Sequence, residues 1–466
     1  MPYRVAETVL NASTIDILNV IRENATYEYQ TLVPEVTQQL DIPKVGEVLY
    51  GHPALANQFI NALVNRIAAV RIKSATFNNP YKDLKKGYLQ FGETVEEVYV
   101  QIAKARIFSA EKAAGREFKR TLPKVRSAFH MINWRVQYPI TVQNEDLRMA
   151  FTSFNGVEDL IARIIQQVYT AAEYDEFLLF KYLLIKGVAK GQLYPVGFDA
   201  TNKNNAAVEF RAMSNLLPFM KKDYNAAKVE TTTPKADQYI FMDARFNADY
   251  DVNVLASAFN MDKADFMGRL KLIDDWTTFD NERFDEVRKE SDGLEEVTEA
   301  ELALMKDVKA ILIDSEWFQV YDNLDQMTEK YVASGMYWNY FYNTWKTVST
   351  SPFANAVVFV ANGATEEMPA TLNVEITEKS VGEEGTVLVL TPDMSSTKIR
   401  DNNYEFIQTQ ACVEAGIGVQ KYGAILLPPN VTATKITFIA GGKAYTSDAA
   451  IAGTEAVGAT IQFTAA

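Results

Sequence analysis

One cysteine in 466 residues, Cys412, leaves this chain without material for a disulfide framework or a zinc cluster of the Cys-x-x-Cys kind. A buried, inert thiol is the expectation. Histidine is nearly as scarce: His52 and His130 are the only two, too few for a His-based metal site or triad. No stretch approaches the ~20 apolar residues of a membrane helix, so no membrane partner is expected. The start, Met1-Pro2-Tyr3-Arg4-Val5-Ala6-Glu7, has no basic segment followed by an apolar one. That predicts no secretory signal and a protein that stays in the cytoplasm where it is made. Positive charge is also short. With 46 Lys and Arg against 60 Asp and Glu, the net charge is −14, which argues against a surface that grips nucleic acid all over. It suits a soluble protein at high concentration, or a surface that DNA slides past.

What is present is hydrophobic residues, 48% of the chain, enough to bury a large core in two to four domains. Ser13 to Asn24 reads as a short helix with Ser13 as N-cap and Asp16 three residues on. A second helix starts at Pro53 and carries Leu55, Phe59, Leu63 and Ile67 on one face. The weakly patterned stretch between them, with Pro34 and Pro43, reads as an extended arm seeking partners on other chains. From Val98 the period becomes two, in Val98, Val100 and Ile102 and again in Val136, Tyr138, Ile140 and Val142. Ser109 to Arg126, between them, is rich in Ala, Lys and Arg. Two strands with a charged tip describe a protruding ribbon, which needs something to lie on. Asn155 then caps a helix striped by Val157, Leu160, Ile161, Ile164, Ile165 and Val168. It continues through Leu183 and is ended by Gly187 and Gly191: about 30 residues, on the order of 45 Å, a structural spine. Mixed α/β follows from Leu193 to Lys330, with strands expected at Gln238 to Asp243 and Leu270 to Ile273. A strand ends in Val357-Val358-Phe359-Val360. Beyond Asn362-Gly363 tryptophan disappears and short β runs alternate with turns, reading as a separate small β domain.

Catalytic patterns fail one after another. Gly441-Gly442-Lys443 is followed by Ala444 and lacks the earlier glycine of a phosphate loop. Asp249-Tyr250-Asp251-Val252-Asn253 opens like a calcium loop, but Val254 stands at the turn position and Asn260 at the twelfth. His130 has no nucleophile at a fitting spacing, which favours a hydrogen-bonded structural histidine. The aromatic run Tyr337 to Trp345 reads as a buried or interface segment before a sugar platform. No catalytic, cofactor-binding or metal residues are proposed.

Over roughly Asn57 to Val360 the chain resembles the major capsid proteins of short-tailed phages of the phi-twenty-nine type. The resemblance rests on the order and spacing of many short motifs. They include Leu63-Val64-Asn65-Arg66-Ile67, Asn78-Asn79-Pro80, Lys85-Lys86-Gly87, Gly92-Glu93-Thr94-Val95-Glu96-Glu97 and Phe129-His130. Ala150-Phe151-Thr152-Ser153, Ala172-Glu173-Tyr174-Asp175-Glu176 and Ala258-Phe259-Asn260-Met261 follow. So do Trp317 to Leu324, Tyr337-Trp338-Asn339-Tyr340 and Phe353-Ala354-Asn355-Ala356-Val357.

The resemblance implies an α+β fold, the tailed-phage major capsid fold (Johnson fold, Hong Kong ninety-seven type); beyond its reach, residues 363–466 read from composition as a C-terminal β-rich domain, where some relatives carry an immunoglobulin-like one. The expected parts are 1–76 N-terminal arm and helices, 77–150 extended loop ribbon and peripheral-domain strands, and 151–192 spine helix. Then come 193–336, mainly axial domain, 337–362, the return to the peripheral domain, and 363–466, the C-terminal β domain. The implied work is self-assembly, as pentamers and hexamers, into an icosahedral or prolate head shell around double-stranded DNA, with no enzyme activity. A scaffolding protein and a portal or connector are implied partners, and the DNA would be enclosed without sequence-specific binding. An encapsulin-like bacterial compartment shell and a surface adhesin are the alternatives. Charge supplies candidate contact residues. Lys82 to Arg126 holds eleven basic against six acidic residues, and Asp280 to Lys330 six basic against sixteen acidic. Lys112, Arg116, Lys119 and Arg120 at the ribbon tip are expected to meet the acidic stretch across subunits, unless both are merely solvated.

Overall fold

The computed structural model describes residues 14–52, 54–59, 62, 77–89, 94–105, 108, 123, 125–143, 156–248, 269–289, 291, 293–361, 365–421 and 423–465. In chain order the elements begin with α1 (Thr14–Asn24), α2 (Tyr27–Leu32), α3 (Ile42–Gly51), β1 (Gly87–Tyr88), β2 (Thr94–Val100) and β3 (Val125–Gln143). The spine helix (Gly156–Ala189) follows, then β4 (Tyr194–Phe198), β5 (Gln238–Asp243), β6 (Leu270–Ile273) and β7 (Val308–Asp314). After them come β8 (Phe318–Val332), β9 (Tyr337–Thr350) and β10 (Ala356–Ala361). The last eight strands are β11 (Thr371–Gly382), β12 (Gly385–Pro392), β13 (Tyr404–Ile407), β14 (Gly418–Val419), β15 (Ala424–Leu427), β16 (Thr437–Ala440), β17 (Lys443–Ser447) and β18 (Thr460–Ala465). They form three sheets, in an α+β arrangement with a β-rich C-terminal part.

The first sheet runs β1-β8-β9-β3-β2, all pairs antiparallel except β1 with β8. Its strands are long because period-two sequence is long: β3 alone has 19 residues. Pro139 sits in β3 without breaking it. The β2 ladder stops at Met131, so beyond it β3 is an edge and the missing N–H costs no partner.

One expectation fails here. The stretch between the first two predicted helices is not an extended arm: it forms α2, a 3₁₀ turn and α3. Pro43 lies in the first turn of α3, where its missing N–H is free of cost. Tyr29, Val33, Val36, Ile42, Val45 and Leu49 join Ile17, Leu18 and Ile21 of α1 in one core with Trp338, Tyr340 and Tyr342 of β9. The partner sought by residues 14–59 is thus the chain's own sheet. Asn19 ties the turn down, accepting from Val36 N at 3.0 Å and donating to Val36 O at 2.8 Å.

The second sheet runs β4-β10-β7-β5-β6. Its central strands are apolar on both faces because both faces are covered. Ile311, Ile313, Val358 and Val360 share a core with Leu178–Val188 of the spine helix, while Val357, Phe359 and Leu312 pack with Phe198, Phe210 and Leu217. The spine helix has 34 residues, ~50 Å. It runs through Gly187, and Gly191 at φ +62° turns the chain beyond it. Asn155, its expected cap, lies outside the described residues, as do Ser13 and Pro53. From Leu178 to Val188 every residue of the helix is buried, including Lys181 and Lys186. Lys181 pairs with Asp274 at 3.0 Å, and Lys186 with Glu301 at 2.7 Å.

The expected division 193–336 does not follow the sheets. Its last part, β8, pairs along its length with β9 in the first sheet, and the boundary at 336 falls in the turn of that hairpin. The third sheet, β13-β16-β17-β18-β11-β12-β15-β14, is built wholly from residues after 365. It has its own core, with Val374, Ile376, Leu388, Phe438, Tyr445, Phe463 and the buried Cys412 among its members. The sheet rolls until its ends meet: Phe406 N donates to Lys421 O at 2.9 Å, and Gln408 reaches both Ile417 O and Val419 N.

Candidate assembly interface

β2 and β3 form the described part of the expected ribbon, with Thr94 opposite Met131 and Val100 opposite Val125. Residues directly opposite in an antiparallel pair share a face. One face carries Val95, Glu97, Tyr99, Arg126, Ala128 and His130 and lies against the subunit. The other carries Val98, Val100, Val125, Phe129 and Met131, which are 50–65% exposed, together with the exposed polar Thr94, Glu96 and Ser127. Ile102, just past β2, is exposed to the same degree. The alternation of Val98, Val100 and Ile102 is therefore real strand periodicity with its apolar side outward, the reverse of the usual arrangement for a half-buried sheet, whereas the run Val136, Tyr138, Ile140 and Val142 further along β3 turns its apolar side inward.

The inner face is held by specific bonds. Tyr99 stacks on Phe353, its ring centroid 5.8 Å away, and its hydroxyl donates to Glu230 O at 3.1 Å. Burial and then the neighbouring Glu230 carboxylate raise this phenol above its ordinary range. Arg126 donates to Ala227 O at 2.6 Å and lies 3.5 Å from Glu405 of the third sheet's β13. His130 is the structural histidine the sequence suggested. Its Nδ1 is 2.6 Å from Ser349 Oγ, and its Nε2 is 3.3 Å from Glu97 Oε2. Ser351 donates to the other oxygen of Glu97 at 2.7 Å while accepting from Phe353 N and Ala354 N. The two strands of the ribbon are so pinned to β9 and to the turn after it.

Lys112, Arg116, Lys119 and Arg120 lie outside the described residues. The acidic stretch meant to receive them is split between two places in the fold and largely engaged inside its own chain. Glu295 and Glu301 hold Lys186, Glu316 holds Lys86, and Asp322 holds Lys85 and Lys346. Asp314 is buried and accepts from Thr233. Burial pushes its carboxyl above the usual range, against the Thr233 hydrogen bond that lowers it. The residues that anchor the ribbon, Tyr99, Arg126, Glu230 and Glu405, escaped sequence reasoning. The one available signal was the placement of Tyr99 and Arg126 on the polar side of an alternating strand.

No group of His, Cys, Asp and Glu side chains suited to a metal ion occurs among the described residues, and no described helix is long and apolar enough to cross a membrane. Comparison with known proteins gives a consistent result. A family profile, Phi29-like phage major capsid protein, matches residues 18–360. The major capsid protein of Bacillus phage B103 is 32% identical over 425 residues, 90% of this chain and 87% of that protein. The major capsid protein of Bacillus phage PZA is 35% identical over 353 residues, 74% of this chain and 72% of the other. The B103 match is too long to stop at residue 360, so it takes in part of the third sheet. Among solved structures, the capsid of Staphylococcus phage Andhra aligns with 61% of this chain and 85% of that one, at 14% identity and a TM-score of 0.49. A match of this extent with major capsid proteins decides against the bacterial compartment and the adhesin. The chain belongs to the Phi29-like phage major capsid protein family, and its work is that of a structural subunit, repeated to form the head shell of a tailed phage.

Proposed function

We propose that the subunit joins its neighbours chiefly through the outward face of the β2–β3 ribbon, laid on a second copy of the chain in pentamers and hexamers. The observation that carries this is the row of exposed apolar side chains Val98, Val100, Val125, Phe129 and Met131 on a strand pair whose other face is already occupied. Left in water, such a row costs ~25 cal/mol for each Å² that a neighbour could cover. The shell closes, icosahedral or prolate, around double-stranded DNA that it does not read. A scaffolding protein guides closure in the host cytoplasm, and a portal or connector takes one vertex. The tip residues Lys112, Arg116, Lys119 and Arg120 add a salt-sensitive contact to acidic groups left unpaired on the neighbour.

The test is Phe129→Asp in the full chain, co-expressed with the scaffolding protein of the same phage and imaged by electron microscopy. The variant is expected to give folded, unassembled subunits by circular dichroism and no closed shells, where the parent gives shells. Normal shells from Phe129→Asp would overturn the reading.

A further inference from the structure

Among the described residues, polar contacts between the C-terminal module and the rest of the chain gather near the place where the ribbon leaves the body, beside the burial of Ile399 in the core of the spine helix. Asn403 donates to Gly191 O, at the end of the spine helix, at 3.0 Å. Lys228 pairs with Asp401 at 2.6 Å. Lys421 donates to Ala227 O at 3.3 Å and lies 3.5 Å from Glu405 Oε2. Glu405 lies in turn 3.5 Å from Arg126 of β3. Burial lowers the Lys421 amine below its ordinary range, with Glu405 opposing that effect.

The segment from Lys221 to Thr231 stands at the centre of these contacts. It is closed on itself by reciprocal backbone bonds between Lys221 and Thr231. Its Glu230 receives Tyr99 of β2, its Ala227 O receives both Arg126 of β3 and Lys421 of the third sheet, and its Lys228 holds Asp401. Lys228 has φ +50°, a strained conformation for a lysine that persists only where surrounding contacts demand it.

We propose that the C-terminal module is an in-chain brace for the ribbon: through Glu405, Lys421 and the 221–231 segment it fixes the angle at which β2 and β3 leave the subunit. This rests on reading that ribbon as the subunit-to-subunit contact. A surface decoration would have no need to touch the inner face of the ribbon, whereas a brace has to. A subunit that occupies pentamers and hexamers must hold its contact arm close to one direction while permitting small adjustments. A few partly exposed ion pairs around one carbonyl oxygen, beside the buried Ile399, meet that requirement better than a broad dry interface would.

The test is hydrogen–deuterium exchange on the unassembled full chain, kept at low concentration, following amides of 94–100 and 125–131. Glu405→Ala and Arg126→Ala are each expected to speed ribbon exchange on the order of two- to fivefold, the range of a partly exposed ion pair. Glu405→Ala should add less on the Arg126→Ala background than on the parent, since the two act through one contact. Glu378→Ala, on an exposed position of β11, should leave the ribbon unchanged. Should Glu405→Ala unfold the module, shown by loss of its cooperative melt, Lys421→Ala is the second route and is expected to act in the same direction. Ribbon exchange at parental rates in both Glu405→Ala and Lys421→Ala, with the module folded, would overturn the brace. No assembly enters this measurement, so its failure is separable from a failure of the ribbon as the contact between subunits.

Discussion

Lys346 reaches from β9 into a cavity of about 380 Å³ between the spine helix and the first sheet. It contacts Glu176 directly and lies 2.8 Å from Asp322, and Lys85 closes the square at 3.0 Å from Glu176 and 2.5 Å from Asp322. Burial by itself would raise the Glu176 carboxyl. The two lysines overcome that and bring it down to about 2, while Glu176 and Asp322 hold the Lys346 ammonium above its ordinary range. Removing one member of such a buried group strands the others, so Lys346→Met is expected to destabilise the subunit by ~3–5 kcal/mol in urea melts at pH 7. The cost should depend on pH. Glu176 is depressed from 4.5 in the unfolded chain, so its contribution is complete above that value and is lost as pH falls through about 2. The gap between parent and Lys346→Met should therefore narrow across that window. A gap that is constant from pH 5 to pH 2.5 would contradict this account.

At the scale of elements, how well the sequence could be read depended on whether a partner lay near or far. The spine helix was legible over most of its length, since a run such as Leu178-Leu179-Phe180 needs a core wherever that core lies. Its buried Lys181 and Lys186 were not, because their acids, Asp274 and Glu301, are about a hundred residues away. The ribbon strands showed as alternation, but alternation does not say which face looks outward. α2 and α3 were missed because the residues that make them helical in the fold, Trp338, Tyr340 and Tyr342, belong to a distant strand. β8 was not singled out as a strand and was grouped with the 193–336 part for a related reason: its polar residues, such as Asp322 and Asn323, carry little hydrophobic signal, and its place is set by pairing with β9. Gly191 was correctly taken as an end to the helix, but what it protects is a contact between elements. An added Cβ would stand 2.5 Å from Asn402 Cβ and 2.6 Å from its backbone N. Gly191→Ala is expected to cost ~2–4 kcal/mol from left-handed strain and the wedge together. It should lower the thermal midpoint and expose residues 400–403 to limited proteolysis. An unchanged digestion pattern would rule out the wedge.

On the scale of the molecule, the described residues form three sheets and four cores, and among these the core of the third sheet is sealed within a single stretch of chain. The core of β11–β18 draws all its members from Met368 to Phe463, apart from everything upstream. Residues 363–466 expressed alone are accordingly expected to melt cooperatively with a β-type circular dichroism spectrum. A fragment without a cooperative transition would mean that the docking contacts at Gly191 and Ala227 are needed for folding as well as for orientation. The two other sheets should not survive separation in this way, because the spine helix serves both.

Every subunit added to the head shell brings another copy of this module, so its strand ends are presented many times over in one particle. At that multiplicity an open strand is a hazard, since its unpaired N–H and C=O groups invite the same strand of the next copy to join the ladder. The rolled third sheet weakens the invitation: Phe406 N of β13 is spent on Lys421 O, and the Gln408 side chain takes up Ile417 O and Val419 N just before and within β14. A module whose strand ends are spent in this way meets whatever lies beside it through side chains and not through a shared ladder.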